Sequence, residues 1–73
     1  MARLKSPLTG ILAYQNAEEG SIVAAGEAVC QIECMKTLWP IDSPIRGRVH
    51  YLVRLGDMVT DDEPVVDIVP EGP

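Results

Sequence analysis

Residues 33–37, Glu-Cys-Met-Lys-Thr, lie between two halves of the chain that resemble each other. Residues 28–33 before this stretch and residues 38–42 after it have the composition of short strands. The stretch is therefore predicted to form a tight hairpin that carries Lys36 at its tip. It is also the one connection that the similarity of the two halves does not explain.

The two halves align over nearly their whole length. The offset between matching residues is 37 at the start and becomes 36 after one skipped position. Matched pairs are Ser6 with Ser43, Gly10 with Gly47, Gly20 with Gly56, Glu27 with Glu63 and Ile32 with Ile68. We infer one domain over residues 1–73, with half-repeats at about 6–33 and 43–69 and the lysine hairpin at about 34–37. Two copies are too few for a solenoid, so a small sandwich or barrel with approximate two-fold symmetry is expected.

Alternating side chains indicate strands throughout the chain. Over residues 48–55, Val49 and Tyr51 alternate with polar residues such as His50, and residues 11–17 are the counterpart in the first half. Further extended segments are predicted at residues 3–8, 22–23 and their counterparts 58–59, 28–33, 38–42 and 65–69. No segment longer than about ten residues has helical periodicity. Eight short strands, an all-β fold and positive φ angles at the turn glycines Gly20 and Gly56 are expected.

The core is expected to consist of Val, Ile, Leu, Ala and Met, because the chain has no Phe and a single Trp. A chain of 73 residues buries little more than ~60% of its unfolded surface, so this core is thin. Cys30 aligns with Val66 and is predicted to be buried. Trp39 is predicted to pack across the strand that follows the hairpin, and the alternative is that it contacts a partner protein near Lys36.

Net charge and hydropathy exclude several classes of partner. With six basic and eleven acidic residues the chain carries a net charge of -5, which argues against binding to nucleic acid or to an anionic membrane. No apolar run approaches the ~18 residues needed to span a bilayer, and the first residues lack the apolar region of a signal peptide. A cytoplasmic protein is expected.

The two cysteines, Cys30 and Cys34, are predicted to be free thiols. On one strand they would lie roughly 13 Å apart, which exceeds the ~7 Å limit between the Cα atoms of a disulfide. A metal or redox pair is the alternative, but it needs closer spacing and more ligands than the one distant histidine, His50, supplies. No metal site is predicted.

Met35 changes the interpretation of the lysine beside it. An exposed lysine in a turn is ordinarily only solvated, and its ε-amine projects into water on a flexible stem. Turns favour polar residues, whereas Met35 is apolar and adapts to the surface of a partner. The pair therefore suggests a site that another protein binds.

Residues around the hairpin resemble the attachment motif of biotinyl domains, the biotin carboxyl carrier family. The motif residues are Glu33, Cys34, Met35, Lys36, Ile41, Asp42, Ser43, Pro44 and Gly47, and the resemblance extends over nearly the whole chain. It implies a flattened β-barrel, or barrel-sandwich hybrid, of two four-stranded antiparallel sheets with pseudo-two-fold symmetry. It also implies biotin joined by an amide bond to Lys36 through a biotin protein ligase, with Glu33, Cys34, Met35 and Thr37 around the attachment point.

The resemblance implies a carrier without catalytic groups of its own. A biotin carboxylase would carboxylate the tethered biotin, and a carboxyltransferase would pass the carboxyl group to an acceptor. Two positions depart from the common pattern, because Cys34 stands where Ala is usual and Thr37 where Met is usual. Both departures bear on how efficiently a ligase modifies the site. The family members without a protruding thumb are the better match.

Three other interpretations stay open. A lipoyl carrier has the same fold, but it usually has Asp before the modified lysine, where this chain has Met35. An unmodified barrel that binds other proteins is the second alternative. An enzyme is the weakest, because His50 is expected to be exposed and no Ser or Cys has a recognisable base near it.

Overall fold

The computed structural model describes residues 1–71, which form eight β-strands and contain no helix. The strands are β1 (Ala2–Lys5), β2 (Gly10–Gln15), β3 (Ile22–Val23), β4 (Ala28–Cys34), β5 (Thr37–Asp42), β6 (Gly47–Tyr51), β7 (Met58–Val59) and β8 (Pro64–Val69). They form two four-stranded sheets in which all the pairs are antiparallel. The predicted all-β fold of two four-stranded sheets is confirmed. In this described part of the chain, no helix could cross a membrane.

Each sheet combines strands from both halves of the chain. The terminal sheet has the strand order β1-β8-β6-β3, and the hairpin sheet has the order β5-β4-β2-β7. The short strands β3 and β7 each cross to the sheet of the other half, where β3 pairs with β6 and β7 with β2. This exchange ties the two halves into one structure.

The core lies between the two sheets. In the hairpin sheet Leu12 is paired with Ile32, and in the terminal sheet Val49 is paired with Ile68. All four side chains are almost fully buried, and burial of one such side chain contributes about 1.5–3 kcal/mol to the free energy of folding. The remaining buried apolar residues are Ala17, Val23, Val29, Cys30, Ile41, Val59, Val65 and Val66. Burial of Cys30 is thus confirmed, and it raises the pKa of this thiol to about 12.

The methionines do not contribute to the core, so that part of the prediction is wrong. Met1, Met35 and Met58 are 72%, 93% and 71% exposed. Met35 lies in a hairpin turn, and Met58 points outward from an edge strand. Core volume is filled instead by β-branched and Leu side chains, whose stiff rotamers suit the pleated surface.

The predicted strand over residues 48–55 is too long. β6 ends at Tyr51, and Leu55 is 57% exposed within a turn. The chain then enters a turn over residues 54–57, in which the N–H of Arg54 donates to Oδ2 of Asp57 at 2.9 Å. Within that turn Gly56 has a φ of 93°, and the equivalent Gly20 has a φ of 81°, as predicted.

Matching residues of the two halves make matching contacts. The Oγ atoms of Ser6 and Ser43 are both buried and donate to the carbonyl oxygens of Leu8 and Ile45, each at 2.6 Å. These bonds fold the chain back after β1 and after β5. The segment predicted at residues 3–8 therefore ends early, and β1 stops at Lys5.

Candidate functional site

The candidate site is the turn between β4 and β5. The last paired residues are Cys34 and Thr37, so the connection consists of Met35 and Lys36 alone. Both have positive φ angles, 52° and 64°, as in a type I′ turn. The predicted hairpin with Lys36 at its tip is confirmed by this geometry.

The residue types in this turn are unusual. Positive φ at both central positions favours Asn and Gly, because a Cβ atom crowds the backbone in the left-handed region. Such a conformation costs about 1–3 kcal/mol for each residue other than glycine. Met35 and Lys36 adopt it nevertheless, so folding alone does not account for the choice of these two residues.

The side chains of the turn are open to solvent. Met35 is 93% exposed, and Lys36 and Thr37 are also exposed. Within residues 1–71, no hydrogen bond or ion pair involves the side chain of Lys36. Its ε-amine therefore projects from the tip of the hairpin, and no side chain in the described residues holds it.

The strands below the turn have one face toward the core and one toward water. Ile32 is fully buried and anchors β4, whereas Glu33 beside it is exposed on the outer face. Cys34, half-buried, is the last residue before the turn. The structure thus brings Glu33, Cys34, Met35, Lys36 and Thr37 together at one end of the hairpin sheet.

The position of Trp39 is compatible with both of the roles predicted for it, packing across the strand after the hairpin and contact with a partner protein. It is paired with Ile32 across β4 and β5, which places it on the core side of the sheet. Because β5 is an edge strand, 46% of its surface stays exposed. Trp39 therefore covers one margin of the core and also presents an aromatic ring near the hairpin.

Both cysteines are free, as predicted. Cys30 is fully buried, whereas Cys34 is half-buried near the turn, so the two thiols have different surroundings. Among residues 1–71 no group of three or more His, Cys, Asp and Glu side chains is arranged to hold a metal ion.

A charged network lies on the other sheet. Arg3 forms a bidentate ion pair with Asp67, in which Nε donates to Oδ1 at 2.9 Å and Nη2 donates to Oδ2 at 3.0 Å. The guanidinium beside it holds the pKa of Asp67 below its ordinary value. Sequence reasoning missed this pair because the first and last strands show no sign of their pairing in the sequence.

His50, exposed as predicted, belongs to the same outer surface. Its Nδ1 lies 3.0 Å from Oε2 of Glu19, and the N–H of Tyr51 donates to Oε1 of Glu19 at 2.8 Å. The backbone hydrogen bond, followed by the contact with His50, lowers the pKa of Glu19. Glu19 thereby joins the loop between β2 and β3 to β6, which is a structural role.

The sequence pattern of the protein family described as "Biotin-requiring enzyme", the biotin/lipoyl family, matches residues 2–68. The chain belongs to this family. The expected resemblance to biotinyl domains is therefore confirmed.

Two relatives illustrate the similarity of this biotin/lipoyl family member to known proteins. The biotin carboxyl carrier protein of acetyl-CoA carboxylase from Cyanidium caldarium is 35% identical over 75 positions, which cover 90% of this chain and 49% of the relative. The crystal structure of urea carboxylase from Kluyveromyces lactis superimposes with a TM-score of 0.85 at 36% identity, over 93% of this chain and 6% of that one. The chain thus spans about half of the carrier protein and a small part of urea carboxylase.

This biotin/lipoyl family member has two lysines in different settings. Lys5 lies on β1, with its Nζ 4.0 Å from Oδ2 of Asp62. Lys36 lies at the tip of the hairpin, and no acidic side chain within residues 1–71 is paired with it. The second amine therefore lies on a turn, whereas the first lies on a strand.

Proposed function

We propose that the chain is a biotin carboxyl carrier that holds biotin in amide linkage to Nζ of Lys36. The observation that carries the proposal is an exposed lysine without an internal partner at the tip of a tight hairpin, in a chain of the biotin/lipoyl family. The names of the two relatives, a biotin carboxyl carrier protein and a urea carboxylase, support biotin as the attached group.

The residues present fit covalent attachment. Amide formation needs a primary amine that can enter the active site of another enzyme, and an exposed lysine in a two-residue turn meets this need. A biotin protein ligase would activate the carboxyl group of biotin with ATP as an acyl-adenylate. Nζ then attacks the acyl carbon, loses a proton and displaces AMP. Once attached, biotin supplies a ring nitrogen that accepts and releases a carboxyl group.

The domain itself contributes position and no catalytic group. A biotin carboxylase would load the tethered group with a carboxyl group, and a carboxyltransferase would unload it onto an acceptor. Attachment to the hairpin confines biotin near both active sites and raises its effective concentration there. Exposure of Met35, Lys36 and Thr37 leaves the tip free to enter each site.

The flanking residues have a proposed part in recognition. Met35, with 93% of its surface in water, offers the ligase an adaptable apolar contact next to the amine. Glu33 offers an exposed carboxylate on the outer face of β4. Cys34 and Thr37, the last pair of the ladder, hold the turn in register.

The decisive experiment is the intact mass of the chain after incubation with purified biotin protein ligase, biotin and ATP. We expect a gain of one biotinyl group, its loss in Lys36→Arg, and its retention in the matched control Lys5→Arg. The arginine variants keep the positive charge, so folding should be unaffected. An unmodified wild-type chain, or modification that survives in Lys36→Arg, would contradict the proposal. A lipoyl-sized gain after the same treatment with a lipoate ligase and lipoate, but none with biotin, would assign the chain to the lipoyl carriers.

A further inference from the structure

The outer faces of the two sheets differ although their strands are equivalent. On the terminal sheet Arg3, Asp67 and His50 lie side by side on three neighbouring strands, and Arg3 and Asp67 form an ion pair. Charged groups on this face are thus paired with one another. The fold does not dictate the composition of an outer face, so the composition of the corresponding face of the hairpin sheet requires its own explanation.

On the hairpin sheet, one row of side chains crosses all four strands. The row, called here the outer row, consists of Leu38, Glu33, Ile11 and Met58, paired in that order. Leu38, Ile11 and Met58 are 41%, 40% and 71% exposed. At a strand spacing of ~4.8 Å the row is roughly 14 Å long. Next to it, Tyr14 of β2, 55% exposed, is paired with Gln31 of β4.

The charges on this sheet have one sign. Its four strands contain no Lys or Arg, whereas the terminal sheet contains Arg3, Lys5 and Arg48. Glu33 lies in the middle of the outer row, and within residues 1–71 its side chain forms no ion pair. An apolar row with a central carboxylate is complementary to an apolar protein surface that carries a cationic group.

The outer row is close to the modified lysine. Glu33 and Leu38 form the second pair below the turn, so the row lies roughly 7 Å from the tip. The same two strands that carry the row end in the turn that carries Lys36. A protein bound over the row would therefore have Lys36 at the edge of its contact surface.

We propose that the outer row is the surface on which the biotin protein ligase docks, an inference that rests on the proposed function. The ligase meets the chain before biotin is attached, so the protein surface must supply all of the binding energy. A carboxylase or carboxyltransferase also gains binding energy from biotin itself. The ligase surface opposite the row is accordingly apolar, with a basic group facing Glu33.

The test compares two double variants as substrates of purified biotin protein ligase. Ile11→Ser/Met58→Ser alters the outer row at positions far from the turn in sequence. Leu52→Ser/Val69→Ser is the matched control, because these residues are 39% and 45% exposed and lie outside the hairpin sheet. We expect kcat/KM for biotinylation to fall roughly tenfold or more for the first and to stay within about twofold of wild type for the control.

A charge comparison tests the chemistry of the partner. Met58 lies on an edge strand, where a charged side chain is tolerated structurally. Met58→Lys should reduce kcat/KM more than Met58→Glu, because a lysine would repel the basic group of the ligase. Thermal unfolding of every variant checks that the fold is retained, and Met58→Ser alone replaces the double variant if that variant unfolds.

The outcomes separate the two proposals. Wild-type rates for Ile11→Ser/Met58→Ser, or an equal loss in both double variants, would overturn the docking surface while biotinylation of Lys36 stands. Equal rates for Met58→Lys and Met58→Glu would overturn the basic partner surface. Absence of biotinylation in wild type would instead contradict the proposed function and, with it, the proposed docking surface.

Discussion

Gly10 lies so close to the backbone of Glu33 that no side chain fits between them. A Cβ atom on Gly10 would overlap the carbonyl oxygen of Glu33 and lie 2.8 Å from Cγ2 of Ile32. The equivalent Gly47 has the same relationship, since its Cβ would lie 2.5 Å from the carbonyl oxygen of Val69. This approach holds β2 against β4 immediately below the hairpin, and β6 against β8 in the other half.

Gly10→Ala and Gly47→Ala are both expected to destabilise the protein. Overpacking of this kind costs about 1–3 kcal/mol in the free energy of unfolding, because strand backbone must move apart. Only Gly10→Ala disturbs β4 next to Lys36, so it should also slow biotinylation of molecules that remain folded. Urea denaturation measures the first effect and ligase kinetics the second. Wild-type stability in both variants would contradict the close approach.

Met35→Asn is expected to stabilise the turn and to impair its modification. Asn tolerates a positive φ better than Met does, so the free energy of unfolding should rise by up to about 1 kcal/mol, the lower end of the cost of such a conformation. Loss of the exposed thioether should raise the KM of the ligase. Thermal unfolding and biotinylation kinetics are the measurements. Thr37→Asn, which changes no residue of positive φ, is the control that should gain no stability.

Trp39→Ala should destabilise the protein less than Ile32→Ala, although the two residues are paired across the hairpin. Ile32 is fully buried, and its truncation typically costs about 2–5 kcal/mol in the free energy of unfolding. Trp39 keeps 46% of its surface in water, so its truncation should remove a smaller fraction of buried contacts. Urea unfolding followed by circular dichroism compares them. A larger loss for Trp39→Ala would make core packing its main role.

Stability is expected to fall in acid, in part through Asp67. Its pKa in the folded state is lowered by Arg3, below the ~3.9 of an unfolded Asp. Its contribution is therefore complete above about pH 4 and is lost as the pH falls through the folded-state pKa. Asp67→Asn should lower the melting temperature at neutral pH and flatten its decline below about pH 4.

The control for this pH dependence is Asp61→Asn, which alters an exposed carboxylate in a turn. It should keep the wild-type profile. Melting temperatures are measured by thermal unfolding from neutral to acid pH. If they decline equally for wild type and Asp67→Asn, the ion pair of Asp67 with Arg3 does not contribute to the loss of stability in acid.

The two thiols should differ in reactivity. Cys30 is fully buried and has a pKa raised to about 12 by burial, so the native protein should not expose its thiolate. Cys34 is half-buried beside the turn and should react with a thiol reagent. One equivalent should react in the native state and two in denaturant. Cys34→Ser, with no reaction in the native state, assigns the reactive residue.

Much of the fold could be predicted from local patterns. The repeat of Ser6 and Gly10 at Ser43 and Gly47 indicated two similar halves, and alternation of side chains indicated strands. The hairpin tip followed from the position of Lys36 between two strand-like segments. Alternation and turn residues are local signals because they depend on neighbours in sequence, whereas the repeat compares residues 37 positions apart.

The amino-acid sequence by itself indicated the short strands but not all of their ends, the turn that carries Lys36 and the resemblance to biotinyl domains. Tertiary structure alone decided which strands pair and which faces meet water. Alternation shows that two faces differ, but it does not show that β6 ends at Tyr51 or that Met58 points outward. Pairing of Arg3 with Asp67, and alignment of Ile11 with Met58, join residues far apart in the chain. Such contacts form only when distant strands come together, and their register depends on packing of the whole core.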